Sequence, residues 1–294
     1  MDIELRALTK RYGEGKGVFD LSFSVDAGEA FGFIGPNGAG KTTAIRHLMG
    51  FLNPDSGSCS IRGLDCRHQA ARVHELLGYV PGEMAFFDGI RGEEHLKLCE
   101  RLRGPAPAPR KASLLERFEL DPTGPVRRMS KGMKQKLGLV AAFMHDPQIY
   151  LLDEPTSGLD PLMQQRFVDL VQEEKRRGKT LLISSHSFEE IEKTCGRVGI
   201  LRRGELVADQ HIHQLRQARR RVYSLTFPDE QRLHAFLEEG YAPLHQSSLS
   251  VDIAVVGPLA PFLAALARHQ VAGLEVRTQR LEEVFMQFYG GAQP

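Results

Sequence analysis

The stretch Gly35-Pro36-Asn37-Gly38-Ala39-Gly40-Lys41-Thr42 constrains this chain more than any other. Glycines open and close the turn, and a lysine and a hydroxyl residue follow it directly. Glycine tolerates the backbone conformations that point successive N–H groups inward, so such a turn makes a cradle for a phosphate. The cradle works between a strand and a helix, because the strand aims it and the helix N-terminus adds a positive dipole end. Both flanks are present: Glu29 to Ile34 is a mostly apolar run, and Thr43 to Met49 reads as helix. In this arrangement the loop N–H groups surround a β-phosphate, Lys41 neutralises β/γ oxygens, and the Thr42 hydroxyl can ligate Mg²⁺.

A second segment supplies carboxylates. Ile149-Tyr150-Leu151-Leu152 reads as an apolar strand that delivers Asp153 and Glu154 at its C-terminal end, where open α/β sheets bind ligands. Asp153 suits Mg²⁺ through water, and Glu154 can polarise an attacking water. Thr180 to Ser184 reads as another strand and Pro161 to Arg177 as the helix between, a β-α-β unit with a parallel sheet. Ahead of the glycine loop, Leu21, Phe23 and Val25 alternate with polar residues, so residues 3–34 read as β. From Arg91 to about Ala142 the pattern turns helical, with Gly104 to Pro109 expected as a loop because its prolines lack backbone donors.

With 294 residues the chain exceeds the usual size of one domain. The pattern changes near residue 211, which places domains at 1–211 and 212–294, and the basic run Arg219-Arg220-Arg221 reads as a solvated linker face. Beyond it come a strand (Val222 to Phe227), a helix (Asp229 to Glu239), strands near Ala242 to His245 and Ser248 to Ala254, a helix (Leu259 to His269), a strand (Leu274 to Thr278) and a closing helix (Leu281 to Tyr289). That order suggests a small α+β domain of ferredoxin-like type. Lysine and arginine number 38 against 37 acidic residues, so nothing global points to a nucleic acid or an acidic membrane. Cys59, Cys66, Cys99 and Cys195 lack disulfide or zinc spacing and read as packing residues of a reducing cytosol. The longest apolar candidate, Ile253 to Ala267, is broken by Pro258 and Pro261 and falls short of the ~20 residues that span a bilayer. The start, Met1-Asp2-Ile3-Glu4, has no signal-peptide pattern.

Four segments, in order, resemble the nucleotide-binding subunits of ABC transporters: Gly35 to Thr43, Met129-Ser130-Lys131-Gly132-Met133-Lys134-Gln135, Leu151 to Asp160, and Ser184-Ser185-His186. The resemblance spans about residues 1–211. It implies an α/β P-loop NTPase: a RecA-like core, an antiparallel β subdomain and a helical lobe inserted at about residues 88–145. ATP and Mg²⁺ are the implied cofactors. Gly35, Pro36, Asn37, Gly38, Ala39, Gly40, Lys41, Thr42 and Thr43 would bind the phosphates, and Tyr12, in a Lys10-Arg11-Tyr12-Gly13 turn, would stack on adenine. Thr42 and Asp153 would serve the metal, while Glu154, Lys41 and the switch histidine His186 would carry hydrolysis. Ser130, Lys131 and Gly132 match the signature motif, which implies that a second subunit, taken as another copy, stacks head to tail and brings its Ser130 to the γ-phosphate held by Lys41. Asp160 would sit at that seam. Ser130 can also simply cap the helix that runs to Met144.

The sequence departs from that pattern in places. Lys131 replaces the first signature glycine and Met133 the glutamine, and Gly82 stands where a metal-sensing glutamine is expected, with Glu83 as a candidate substitute. Met84, Phe86 and Phe87 fall where the family docks a membrane subunit, so they are either a partner patch or buried in the lobe. Thr123 to Arg128 lacks the acidic, glycine-rich segment of exporters fused to membrane spans, and Arg280 to Phe285 resembles the ending of free-standing ATPases of the ABC-2 exporter class, including the drug and antibiotic resistance type. The expected function is therefore ATP hydrolysis that drives export through an integral membrane permease on another chain, at the cytoplasmic face of the membrane and without a nucleic acid. The alternative is a soluble ABC-type ATPase acting on ribosomes or DNA, which predicts two nucleotide domains in one chain or a long heptad insertion.

Overall fold

Alternation of apolar and polar residues builds the first sheet, and continuous apolar runs build the second. In the computed structural model, which describes residues 1–217, 221–255 and 258–278, the chain divides into two units at Ile212/His213. The first opens with β1 (Ile3–Gly13) and β2 (Lys16–Val25), an antiparallel pair in which Leu21, Phe23 and Val25 are buried. Lys10, Arg11 and Gly13 pair with Val18, Gly17 and Lys16, so the expected turn at Lys10 to Gly13 is the end of a strand. The reversal lies instead at Glu14-Gly15.

The wholly buried β3 (Ala30–Ile34) runs into α1 (Lys41–Leu48). Strands β4 (Ser56–Ile61) and β5 (Leu64–Asp65) complete the antiparallel sheet, in the order β2-β1-β4-β5. After α2 (Ala70–Leu76) and β6 (Leu77–Val80) the chain leaves the sheet for a lobe of α3 (Gly92–Arg103), α4 (Ala108–Arg117) and α5 (Lys131–Phe143). The expected loop over 104–109 is shorter than its prolines suggested: Ala108 and Pro109 form the first turn of α4. A first turn needs no N–H donor, so proline is tolerated there.

The chain then re-enters the core as β7 (Ile149–Asp153), α6 (Pro161–Arg176), β8 (Thr180–Ser185), α7 (Phe188–Thr194), β9 (Arg197–Arg202) and β10 (Glu205–His211). The second sheet has the order β10-β9-β3-β8-β7-β6, parallel except for β10. Phe23 lies 5.2 Å from Phe31 and 5.1 Å from Phe33, ring to ring, which locks the two sheets together. Each such buried ring contributes about 1.5–3 kcal/mol. The lobe is tied to α6 by ion pairs: Arg110 to Glu174 at 3.0 Å and Arg117 to Glu173 at 2.7 Å. Glu174 is buried and also accepts from the Tyr150 hydroxyl, so the Arg110 contact fixes orientation more than it adds stability.

Helix α8 (Ile212–Gln217) begins on the last residue of the first unit, and the second unit continues with β11 (Arg221–Thr226), α9 (Glu230–Glu238), β12 (Pro243–Gln246), β13 (Ser250–Val255), α10 (Leu259–Arg268) and β14 (Gly273–Thr278). Its antiparallel sheet, in the order β12-β13-β11-β14, is that of a ferredoxin-like unit. Tyr223, Leu225 and Phe227 from β11 and its end pack with Phe236 and Phe262 from the two helices. The expected closing helix, with Arg280 to Phe285, lies outside the described residues, as do Arg219 and Arg220. No described helix is long and apolar enough to cross a membrane.

Candidate functional site

The glycine loop closes as its composition requires. Gly40 has φ 109°, and a Cβ there would lie 2.7 Å from Val18 Cγ1, so neither the backbone nor the packing admits a side chain. Lys41 is buried, and its ammonium donates to the Gly35 carbonyl at 2.6 Å and lies 3.4 Å from Glu154 Oε1. Tyr12, Gly15, Lys16, Gly17, Pro36 to Thr43 and Glu154 line one cavity of about 540 Å³. Tyr12 is half exposed on its wall, which leaves a ring face free to meet a planar ligand.

Strand register assembles the other side. Asp153 pairs with Ser184 across β7 and β8, and the Ser184 hydroxyl donates to Asp153 Oδ1. Asp153 Oδ2 is buried without a hydrogen-bond partner. A side-chain Cβ on Gly82 would sit 3.0 Å from that oxygen, so the segment after β6 presses its bare backbone against the carboxylate, whereas Glu83 is exposed. The Tyr79 phenol is pushed up to about 12, by burial first and then by the Asp153 charge. An orphaned carboxylate oxygen at the end of the strand that leads into the Glu154 turn is a hard donor of the kind Mg²⁺ takes, since that ion uses few protein ligands and completes its shell with phosphate oxygens and water.

Glu154 turns away from Asp153 because its backbone is left-handed, with φ 48°, and its N–H donates to Ser184 O at 3.1 Å. That turn brings Glu154 Oε2 within 2.6 Å of His186 Nδ1. Lys41, Glu154 and His186 therefore stand in one line of contacts, with His186 open to solvent. Gln135 binds the same turn from the lobe, its amide donating to Pro155 O at 2.8 Å. Sequence reasoning named Gln135 and Ser184 only as parts of quoted motifs and gave neither a role of its own.

The remaining candidates gather elsewhere on the same unit. Ser130 caps α5, its Oγ accepting from Met133 N–H at 3.2 Å, and Asp160 caps α6, its Oδ1 accepting from Met163 N–H at 3.0 Å. A Cβ on Gly132 would meet Gly158 O at 2.7 Å, and one on Gly158 would meet the Lys131 stem at 3.1 Å, so the signature segment and the turn before Asp160 pack tightly together. Ser130, Lys131 and Asp160 are exposed. Of the apolar trio, Met84 and Phe86 are half-buried along a groove of about 320 Å³ with Tyr79, His95 and Gly138, and Phe87 is 70% exposed.

The family model described as ABC transporter matches residues 18–157. The chain is 38% identical over 218 residues to the Nod factor export ATP-binding protein I of Burkholderia orbicola, with 72% of each chain covered. It is 29% identical over 301 residues to the bacitracin transport ATP-binding protein BcrA of Bacillus licheniformis, a match that covers 98% of this chain and 97% of the relative. A solved structure of an ATP-binding subunit of an ABC transporter superposes with a TM-score of 0.68 at 32% identity, over 74% of this chain and 92% of that one.

Proposed function

We propose that this chain, which belongs to the ABC transporter family of ATP-binding proteins, hydrolyses ATP to drive an ABC-2 type exporter whose membrane-spanning permease is a separate chain. The observation that carries the reading is the contact line Lys41, Glu154, His186 at the end of a phosphate loop. In it Lys41 holds β/γ-phosphate oxygens, Glu154 orients and deprotonates the attacking water, and His186 meets the γ-phosphate. Tyr12 stacks on the adenine. Mg²⁺, held by Thr42 and by Asp153 through water, would neutralise charge on the phosphates. Once the γ-phosphate leaves, the ligand that favoured the closed arrangement is gone, and the equilibrium returns to the open one.

Two copies stack head to tail, with Ser130, Lys131, Gly132 and Asp160 of one completing the site of the other. The match to a bacitracin transport protein over nearly the whole length, second unit included, supports the drug and antibiotic resistance type. Relatives named for export favour this reading over a ribosome- or DNA-directed ATPase. The protein then works on the cytoplasmic face of the membrane, and the groove beside Met84 and Phe86 receives the permease. Glu154→Gln should lower phosphate release by at least about a hundredfold while nucleotide binding persists. Unchanged hydrolysis in that variant would overturn the assignment.

A further inference from the structure

We propose that Glu190 is a positioning residue for hydrolysis, closing a hydrogen-bonded ring that holds the two loops bearing Glu154 and His186. The inference rests on the roles given to those two residues above. Glu190 lies on α7 with only 9% of its surface exposed. Its Oε2 accepts from the Ser185 hydroxyl at 2.6 Å and from the Thr156 hydroxyl at 3.0 Å. Ser185 immediately precedes His186, and Thr156 follows Glu154 after one proline. The Ser185 hydroxyl also accepts from Ser187 N–H at 3.0 Å, and the Ser187 hydroxyl accepts from Glu190 N–H at 3.4 Å. The backbone on both sides of His186 is thus tied to Glu190, at Ser185 through the carboxyl and at Ser187 through the Glu190 backbone N–H and the Ser185 hydroxyl.

The opposite side of the ring is the 2.6 Å contact between His186 Nδ1 and Glu154 Oε2. Contacts therefore run from Glu154 through Thr156, Glu190, Ser185 and His186 back to Glu154. Strands β7 and β8 set the spacing of the two loops, but each loop extends past its strand, and the ring joins them there. Beside it lies a cavity of about 540 Å³ lined by Thr156, His186, Glu190 and Lys193, so the loops have room to move once the clamp is cut. A misplacement of about 1 Å at reacting groups can cost a hundredfold in rate. Glu190 Oε1 is buried without a partner, so both accepted hydrogen bonds fall on one oxygen. A glutamine carbonyl can take over that oxygen's part.

The test compares variants of the whole chain by single-turnover hydrolysis and by equilibrium binding of ATP. Glu190→Ala should lower the hydrolysis rate about thirtyfold or more with the dissociation constant changed less than about threefold. Glu190→Gln should recover to within about fivefold of the unaltered protein. Thr156→Val should slow hydrolysis in the normal background and add little to Glu190→Ala, because the ring is already open. Should Glu190→Ala not fold, Thr156→Val and Ser185→Ala carry the same comparison. Full rates in Glu190→Ala or Thr156→Val, with Glu154→Gln still inactive, would overturn the positioning role and leave the functional reading standing. Independent, multiplying losses from Thr156→Val and Glu190→Ala would also overturn it. Full hydrolysis in Glu154→Gln would defeat the functional reading and the ring with it.

Discussion

The two groups of candidate site residues are built in opposite ways. Lys41, Glu154 and His186 come from three separate segments and meet through side-chain contacts across the sheet, with Lys41 buried. Ser130 and Asp160 are exposed and spend their hydrogen bonds on their own helices, one on α5 and one on α6. The first group reads as a reaction centre organised within one chain. The second reads as a rigid face, capped and packed on Gly158, presented outward. The proposed head-to-tail pair assigns that outward face to the second subunit's site.

Mixing variants tests that division most severely. Lys41→Ala and Ser130→Arg should each lose at least about a hundredfold in hydrolysis when pure, the first through the lost phosphate contact and the second through a blocked face. An equimolar mixture should regain roughly a quarter of normal activity, because half of the pairs are mixed and each mixed pair keeps one intact site of two. Hydrolysis assays on the mixture decide it, and no recovery would place Ser130 in the same chain's site or in none.

The inner half also carries a pH signature. Burial raises the Glu190 carboxyl from its usual 4.5 to about 7, with the Glu154 charge adding to it and the Ser185 and Thr156 hydrogen bonds opposing it. The folded state thus favours the proton, so the contribution to stability is present below about pH 4.5 and is lost as pH rises through about 7. Relative to Glu190→Gln, the unaltered protein should lose up to about 3 kcal/mol between pH 4.5 and 8, measured by denaturant unfolding at each pH. A constant difference would show that Glu190 does not titrate in that window.

The smallest effect separates cap from charge on the outer half. Asp160→Ala should cost about 1 kcal/mol of stability and Asp160→Asn only a few tenths, since asparagine also caps. If hydrolysis nevertheless drops in Asp160→Asn, by phosphate release, the carboxylate has a role at the seam beyond capping α6.

Much of this was legible in the sequence because its signals are local. The glycine pattern dictated the loop, the apolar run Ile149 to Leu152 the strand, and Ser130 a helix start, each within a few residues, whereas the cap by Asp160 emerged only from the structure. Errors were local too. Tyr12 belongs to a strand because its neighbours Arg11 and Gly13 pair with β2 on either side of it, and Pro109 sits in a helix because a first turn tolerates it. The order of elements after residue 221 also gave the antiparallel ferredoxin-like sheet.

By itself, the sequence determined that a phosphate loop, a pair of carboxylates, a histidine and a helix capped by Ser130 would exist. Tertiary structure alone decided that Asp153 faces Ser184, that Gly82 presses against Asp153 Oδ2, that Glu154 reaches His186, and that Glu190 joins the loops of both. Caps and turns depend on neighbours a few residues away, whereas these contacts depend on the register of β6, β7 and β8 and on where α7 packs against β8. That register is settled by how the whole core packs, and a slip of one residue in β7 would turn Asp153 to the other face, away from Ser184.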